Sequence, residues 1–520
     1  MGLPTFFGLN TAVNALQAMQ QAQSVVSNNI ANANTPGYVR ETANLVELNP
    51  YPPAGDTVLA GQVGQGSGVN TVARQTNAFV NQQDRLNQGT QQMYQTLNQN
   101  LVQIEGILNE PSSTSMQNAL DQFFQSWQAL STDPTSTAAR QAVIAQSQSL
   151  TQTFQTVTTQ LVQLQQGMAQ TVSGQLGQLN TYAQQVYDLN QQIVQIEKFG
   201  QQNSGSQGPV ESPNTLLDQR GLILDKMSQL ANISYSAQSD GSVDVYLGQG
   251  QTRVPLVNST QVYPLNPALL LPASNQYVGS SAAQPPGQTI QTSQVYLSNF
   301  TSGAIAGNVQ SLDNTSQLLA NLDSFLQGFA SQVNGIQQTG SDLSSNPPPP
   351  PALFDISTNS ADLAVAAGNV VLSVDQSFLG QNGTDYIAAA ASGAPPGDNS
   401  NALKMVNLQN QTYGPNGPAV NYNVLTSATL SSASYTGTGT FDQFLSSQVA
   451  NIGTEAAAAQ SGGQTANALA QQSANLRQSI SGVNTDEEAT KMIEFQNAYN
   501  AAAKFISVFD QMLQTLINAV

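Results

Sequence analysis

The sequence predicts a mainly α-helical protein with inserted β regions, in which helices at the two ends of the chain pair as a coiled coil. Apolar residues recur at spacings of three and four at both ends and over long interior segments. Two regions rich in Gly, Pro and Ser, residues 236–300 and 346–440, instead show short apolar–polar alternation and turn residues. The chain has 520 residues, which is enough for several domains with a sizeable core.

The C-terminal segment carries an uninterrupted apolar seam. Its members recur at spacings of three and four: Met492, Phe495, Tyr499, Ala502, Ile506, Phe509, Leu513, Leu516 and Val520. Thr485 and Glu488 predict a capping box at the start of this helix, followed by the negative charge that a helix N-terminus favours. Because an isolated helix is marginal in water, the seam requires a partner helix.

The N-terminal segment supplies a candidate partner. Its apolar positions are Leu9, Ala12, Leu16, Met19, Val26 and Ile30, with the polar Gln23 inside the row. Arg40 is the first charged residue of the chain, so this helix lacks the charged face of an ordinary surface helix. We therefore expect a helix that is enclosed on most sides; a Gln-rich tail that is disordered until it packs is the alternative.

Composition excludes several classes of function. Only 8% of the residues are charged and the net charge is −18, so nucleic acid and anionic membrane surfaces are poor partners. No segment resembles a secretory signal or has the length to cross a bilayer, and we expect no membrane insertion. The chain has no Cys and no His, which removes disulfides, thiolate nucleophiles, imidazole bases and the usual zinc sites. We expect no cofactor and no metal.

An enzymatic function would have to rest on carboxylates. Asp240 with Asp244, or Asp355 with Asp362, are the pairs that glycoside hydrolysis could use. Nothing in the sequence brings either pair into one cleft, and acids in solvated loops are the ordinary explanation. We therefore expect that the protein is not an enzyme.

Two other patterns have structural explanations. Gly64, Gly66 and Gly68 follow GxGxG spacing, but the strand–helix context and downstream acid of a nucleotide-binding loop are absent, so a turn is expected. Trp127, the single Trp, is flanked by Phe and Leu at helical spacing, which predicts a core position.

The first helix is followed by a turn. The residues concerned are Ala33, Asn34, Thr35, Pro36, Gly37 and Tyr38. Pro36 presets φ and Gly37 permits a positive φ, which are the requirements of the central pair of a type II turn. Pro36 also excludes Thr35 from the α region, so the helix ends before Thr35 and Tyr38 anchors the extended chain that follows.

The string SNNIANANTPGY, residues 27–38, resembles the signature of the bacterial flagellar axial proteins, which comprise rod, hook and hook-associated subunits. Residues 481–507 resemble the C-terminal signature of the same family. Interior blocks at 118–143, which includes Arg140, and at 214–233 resemble the hook-associated subunit that joins hook to filament.

This resemblance implies an assembly function. In that family the terminal helices pair in the inner tube, so the chain is expected to be a secreted, extracellular structural subunit of the hook–filament junction. The expected partners are copies of itself, the hook protein, a second hook–filament junction protein, and a cytoplasmic export chaperone that binds the C-terminal helix. A sibling axial protein (the second junction protein or a hook subunit) and a secreted coiled-coil adhesin rich in β structure are the alternatives.

The predicted domains are discontinuous in sequence. They are a terminal helical domain of 1–35 with 485–520, a helical bundle of 36–235 with 301–345 and 441–484, and outer β-rich regions at 236–300 and 346–440. Within the β-rich regions, strands are expected at Val243–Leu247, within Asp362–Ser373 and at Tyr422–Leu430.

Overall fold

The structure, a computed structural model, describes residues 7–49, 64–109, 112–203, 213–250, 253–266, 297–344, 349–358, 370–412 and 439–518. Helices dominate these residues and the strands form small sheets, which confirms the predicted fold class. None of the described helices combines the length and the apolar character needed to cross a membrane.

The helices of the described chain differ widely in length. They are α1 (Phe7–Ala31), α2 (Ala78–Leu108), α3 (Met116–Thr132), α4 (Thr137–Asn203), α5 (Asn214–Leu230), α6 (Gly303–Thr339), α7 (Ser400–Leu408), α8 (Phe441–Ser481) and α9 (Thr485–Asn518). Helix α1 ends before Thr35, as the Pro36 rule predicts. Helix α8 begins with a capping box, in which the side chains of Thr440 and Gln443 each accept from the backbone N–H of the other.

The strands pair antiparallel throughout the described residues. They are β1 (Glu41–Glu47), β2 (Ser67–Arg74), β3 (Ile233–Ala237), β4 (Val243–Leu247), β5 (Val254–Val257), β6 (Gly340–Ser341), β7 (Phe354–Thr358), β8 (Val370–Val374) and β9 (Ala390–Ala391). Strands β1 and β2 form a hairpin, β3–β4–β5 form a sheet in that order, and β6 pairs with β9 and β7 with β8. The predicted strand at Tyr422–Leu430 lies outside the described residues, and only the last part of Asp362–Ser373 lies within them, in β8.

An aromatic core holds the bundle of α2, α3, α4, α6, α7 and α8 together. Trp127 is fully buried in it, as predicted. Phe329 stacks almost parallel to Phe325 at 5.9 Å between ring centroids and meets Phe123 edge-on at 5.5 Å. Offset-stacked and edge-on pairs of this kind are the favoured arrangements of aromatic rings, so the core is specifically packed.

A second core lies farther along α4 and at the start of α6, against α5 and the β3–β4–β5 sheet. Along α6 this core ends at Leu312 and the aromatic core begins at Leu318. Near this boundary, Asn100 donates to Asn308 at 2.9 Å and to Ser311 at 3.1 Å, all three being buried. Strands β3–β5 therefore share a core with helices, whereas the sequence analysis placed residues 236–300 in an outer region; the domain boundaries stay a prediction.

Two connections join the terminal helices to the bundle. The first leaves α1 through the predicted turn and the β1–β2 hairpin, which packs on α1 before the chain enters α2. The second is the short segment 482–484 between α8 and α9. A backbone hydrogen bond of 2.9 Å from Arg40 N–H to the Ser481 carbonyl ties the two connections together. Each helix of the terminal pair is therefore attached to the bundle: α1 through the turn and the hairpin, and α9 through residues 482–484.

Candidate assembly surface

Helices α1 and α9 pack against each other in antiparallel orientation. Near the start of α1, a Cβ atom placed on Gly8 would lie 3.8 Å from the Phe505 ring. Near its end, the Asn29 amide bonds the Glu488 carboxylate, in the first turn of α9. The β1–β2 hairpin covers α1 from another side, so α1 is held between two elements.

The buried face of α1 differs from the predicted seam. Its buried side chains are Ala12, Ala18, Ala22, Val25, Val26 and Asn29. Of the predicted positions, Ala12 and Val26 are buried, Leu9, Leu16 and Met19 are half-buried, and Ile30 is 38% exposed. The buried face is shifted because the β1–β2 hairpin packs on α1 beside α9. The small Ala side chains of α1 allow these elements to approach it closely.

Helix α9 is mostly uncovered. The predicted positions Met492, Phe495, Tyr499, Ile506, Phe509 and Leu513 are half-buried, and the side chain of Leu516 lies outside what the structure describes. Five further apolar side chains on this helix, Ile493, Phe505, Val508, Met512 and Ile517, are between 44% and 70% exposed. Of these, Phe505, Val508 and Met512 follow spacings of three and four and therefore share one face of the helix. Among the described side chains of α9, only Glu488 is buried. We call Phe505, Val508 and Met512 the outer row.

The turn after α1 has the predicted geometry. Tyr38 N–H donates to the Thr35 carbonyl at 3.2 Å, which closes the turn around Pro36 and Gly37. Gly37 has φ 81°, as the third position of a type II turn requires. A Cβ atom on Gly37 would lie 3.0 Å from Leu222 Cβ, so the turn also packs tightly on α5. Ala33 and Asn34 precede it, and Asn34 is exposed.

Tyr38 anchors the chain at this point. Its hydroxyl donates to Asn29 Oδ1 at 2.8 Å and accepts from the Asn28 amide at 3.3 Å. Burial raises the pKa of Tyr38 well above its usual value, and the carboxylates of Glu41, Asp218 and Glu488 raise it further. The phenol is therefore a neutral hydrogen-bond donor at physiological pH.

The structure corrects the predicted helix cap of α9. Asn484, not Thr485, caps the helix: its Oδ1 accepts from the N–H groups of Asp486 at 3.0 Å and Glu487 at 3.3 Å. Thr485 is already the first helical residue. The Glu488 carboxylate points away from the cap and bonds Asn29 and Lys491. Asn and Thr are both good capping residues, and the sequence alone did not separate adjacent candidates.

Sequence reasoning missed Asn29. This residue is fully buried, and its amide reaches the turn, β1 and α9. The signal was present as an Asn inside an otherwise small and apolar row of α1. An unpaired amide is costly to bury, so such a residue points to a specific partner.

Ion pairs anchor the turn and the hairpin to α5. Arg74, at the end of β2, bonds Asp218 on α5 at 2.7 Å, and Val39 N–H donates to the same carboxylate at 3.2 Å. Burial raises the pKa of Asp218, against the opposing effects of Arg74 and the Val39 hydrogen bond. Arg40 reaches across to Glu487 in the first turn of α9 at 2.9 Å, an exposed pair of little energetic weight.

A buried ionic ladder then joins α2, α5 and α8. Arg477 on α8 bonds Asp84 of α2 at 3.1 Å and Asp225 of α5 at 2.8 Å. Asp225 also accepts from Arg85 at 2.7 Å. Burial by itself would lower the pKa of Arg477, but Asp225 and Asp84 outweigh it and raise that pKa. The ladder keeps three helices in fixed alignment beside the terminal pair.

Two buried arginines bond backbone carbonyls. Arg140, in one of the blocks that resemble the axial family, donates to the carbonyls of Pro134 at 2.8 Å and Ile387 at 2.6 Å, which ties α4 to the chain after β8. Arg220 donates to Asn190 at 2.9 Å and to the Gly241 carbonyl at 2.8 Å. Burial lowers the pKa of Arg220 to about 10, helped by nearby Arg74 and Arg85. Both side chains have clear structural roles.

Packing against α1 explains a glycine within the GxGxG spacing of Gly64, Gly66 and Gly68. Gly66 has φ 90°, and a Cβ there would lie 3.0 Å from the Thr11 carbonyl oxygen on α1. The side chain of Asn14 also donates to the Gln65 carbonyl at 3.0 Å. Gly64 and Gly66 lie in irregular chain and Gly68 lies in β2, so no turn is seen at these described positions. The contacts of Gly66 instead allow a close approach of backbones, which lets the start of β2 lie directly on α1.

Of the two acid pairs considered for catalysis, only Asp240 with Asp244 lies wholly within the described residues. Asp240 accepts from Ser242, which lowers the pKa of Asp240, and Asp244 accepts from Gln238 at 2.8 Å. Burial, and then Asp375, raise the pKa of Asp355; its proposed partner Asp362 lies outside the described residues. No group of three or more acids lies close enough to hold a metal ion in the part of the chain that the structure describes.

Family models match three parts of the chain. The model of the flagellar hook-associated protein FlgK helical domain matches residues 101–350. The ends match models from other flagellar proteins: the flagella basal body rod protein over residues 9–38, and the flagellar basal body rod FlgEFG protein C-terminal region over residues 477–519. The end matches cover α1 with its turn, and α9, and the interior match runs from the end of α2 to just beyond α6.

Relatives named flagellar hook-associated protein 1 align with nearly the whole chain. The Bacillus subtilis protein is 28% identical over 543 residues, covering 99% of this chain and 98% of its own. The Escherichia coli K12 protein is 26% identical over 565 residues, covering 98% and 99%. The solved structure of the flagellar hook junction protein FlgK from Burkholderia pseudomallei has the same fold, with a TM-score of 0.57 at 18% identity, over 77% of this chain and 100% of that one.

Proposed function

We propose that the chain, which is similar to flagellar hook-associated protein 1 over nearly its whole length, is a structural subunit of the junction between the flagellar hook and filament. Copies of the chain assemble side by side through their terminal helices. The hook protein lies on one side of this assembly and a second junction protein on the other. The subunit leaves the cell to reach this position.

The outer row of α9 is the observation that carries the proposal. Helix α9 has 34 residues, and of its described side chains only Glu488 is buried in the single chain. A helix that is stabilised by packing normally buries one full apolar stripe. In the single chain, the predicted stripe of α9 is only half-buried, and the outer row forms a second apolar stripe that is exposed to solvent. Contiguous exposed apolar surface of this kind marks an interaction site. Neighbouring copies in a tube would cover the second stripe of each α9.

The uncharged character of α1 fits the same arrangement. The helix carries no charged residue from Phe7 to Ala31, and its exposed positions are uncharged. Helices that pack among identical neighbours avoid like-charge repulsion when their faces are uncharged. The paired termini are thus suited to repetition around a tube.

An export chaperone that holds α9 before assembly is part of this proposal. The outer row would otherwise promote association inside the cell, as exposed apolar patches do. We expect purified chaperone to bind the full chain and to lose binding when residues 486–520 are removed. The truncated chain is expected to stay folded, because both cores lie outside the deleted segment.

The test replaces two outer-row residues by acids. Val508→Glu with Met512→Glu places two charges where a neighbour would have to bury them, at a cost of several kcal/mol for each unpaired charge. In a strain of the source bacterium that lacks the native chain, we expect this variant not to be incorporated into flagella, and the cells to be non-motile.

The matched control is Gln511→Glu with Gln514→Glu, which adds the same charge at two exposed polar positions of the same helix. Control cells should swim. Normal swimming with the Val508→Glu, Met512→Glu variant would contradict the proposed assembly surface.

A further inference from the structure

Asn29 lies where four segments of the chain meet. Its side-chain Nδ2 donates to the Glu41 carbonyl oxygen of β1 at 2.8 Å and to Glu488 Oε2 of α9 at 2.8 Å. Its Oδ1 accepts from the Glu41 N–H at 2.9 Å and from the Tyr38 hydroxyl at 2.8 Å. A side-chain amide has two N–H donors and two acceptor lone pairs, so every hydrogen-bonding site of Asn29 is used.

We propose that Asn29 sets the register of the α1–α9 pair through its hydrogen bond to Glu488. The apolar contacts between these helices cannot do so by themselves. Rows with spacings of three and four are repeated along α9, and a shift of one heptad places one apolar group where another had been. A single buried polar group in such a seam has one partner and therefore one favourable register.

The partner of Asn29 is equally distinctive. Glu488 is 1% exposed and is the one buried side chain among those described on α9. Lys491 bonds its other oxygen, Oε1, at 2.9 Å. Lys491 belongs to α9 and moves with Glu488, so that bond is the same in every register. Of the two bonds that the Glu488 carboxylate makes, only the one from Asn29 depends on how α1 and α9 are aligned.

Asparagine is required here because the site needs donors as well as acceptors. An aspartate would keep the bonds from Tyr38 and Glu41 N–H, but its second oxygen would face the Glu488 carboxylate and the Glu41 carbonyl. The other charged groups near this point are Glu41, Lys491, Asp218 with its partner Arg74, and Glu487 with its partner Arg40. Each of these cations already bonds a carboxylate, so the added carboxylate would have no cation of its own.

The experiment measures the register directly in the full chain. Because the chain has no Cys, Ser24→Cys and Asn497→Cys provide two unique spin-label positions, both exposed, on α1 and α9. A shift of one heptad moves a label by about 10 Å along the helix axis, which pulsed electron–electron double resonance resolves. For the chain with Asn29 we expect one narrow distance distribution.

Asn29→Asp is expected to broaden or displace this distribution at pH 8. The control Asn34→Asp adds the same charge at an exposed position of the adjacent turn and should leave the distribution unchanged. The double variant Asn29→Asp, Glu488→Gln should recover the narrow distribution, because the Gln amide can donate to the new carboxylate. Acidification should also recover it in Asn29→Asp, since two adjacent carboxyl groups can then share a proton.

Three results would each overturn the proposal: a broad distribution in the chain with Asn29, equal distributions in Asn29→Asp and Asn34→Asp, or no recovery in the double variant. The measurement uses the free chain and stands apart from the proposed function. Failure of the register test would leave the outer-row test of assembly unaffected, and the reverse is also true.

Discussion

Removing Arg477 should loosen the alignment of α2, α5 and α8. Arg477→Met keeps most of the aliphatic volume but deletes both ion pairs, which leaves the Asp84 carboxylate, 1% exposed, without a cation. Asp84 retains hydrogen bonds from Ser473 at 2.9 Å and Gln88 at 2.8 Å, and Asp225 retains Arg85.

The size of the effect follows from these remaining contacts. Deleting one partner of a buried ion pair costs about 3–5 kcal/mol, because the other charge stays buried and uncompensated. The side chains of Arg477 and Asp225 keep 20% and 13% exposure, so we take the lower end, ~3 kcal/mol. Since each 1.4 kcal/mol is a factor of ten, amide exchange that proceeds through local opening should accelerate by roughly 100-fold.

Hydrogen–deuterium exchange at neutral pH provides the assay, with peptides that cover residues 470–481 of α8 and the facing part of α2. Gln472→Met is the matched control, because it introduces the same side chain at an exposed position one turn away. Arg477→Lys should lie between the two, since one ammonium group cannot bond both carboxylates as the guanidinium fork does. Exchange in Arg477→Met within threefold of Gln472→Met would refute the argument.

Two further predictions concern the connections to the terminal pair. Gly66→Ala should detach the start of β2 from α1, at a cost of about 1–2 kcal/mol for the left-handed backbone alone. The expected result is faster proteolysis of the hairpin. The control Gly174→Ala, in the middle of α4 with open space around it, should instead stabilise the protein slightly. Asn484→Ala should destabilise the start of α9 by about 1 kcal/mol in exchange experiments. Thr485→Ala should have little effect. If Thr485→Ala destabilised the start of α9 more than Asn484→Ala does, Thr485 would be the cap, as the sequence suggested.

The helical class could be predicted because its signals are local. Apolar periodicity defined α9 and most of α4 and α6, and the chemistry of Pro36 and Gly37 fixed the end of α1 and the turn that follows. Each of these depends on residues within a few positions of one another. The same is true of Trp127, whose Phe and Leu neighbours already indicated a core helix.

The buried face of α1 could not be predicted from its own residues. Both a seam through Leu16 and one through Ala18 are compatible with the sequence, and the choice depends on the hairpin, which covers one side of the helix. Ile30 was placed in the seam because it is apolar, yet Asn29 is the residue that lies inside. A polar residue takes the buried position because its partners Tyr38, Glu41 and Glu488 are present there.

The ionic ladder was equally inaccessible to sequence reasoning. Asp84, Asp225 and Arg477 lie on three helices far apart in the chain, and nothing in their local patterns links them. Which carboxylate meets which guanidinium is decided by helix packing alone.

The central claim is that the outer row of α9 is covered by neighbouring subunits. Met512→Cys introduces a single thiol into this row in a chain that has no other Cys, and its rate of maleimide modification can be compared between isolated flagella and the same flagella dissociated into free chains. The account predicts at least about tenfold slower modification in intact flagella, because the thiol is then reached only by local opening. Equal rates in the two states would show that the row stays open in the assembly and would contradict the account.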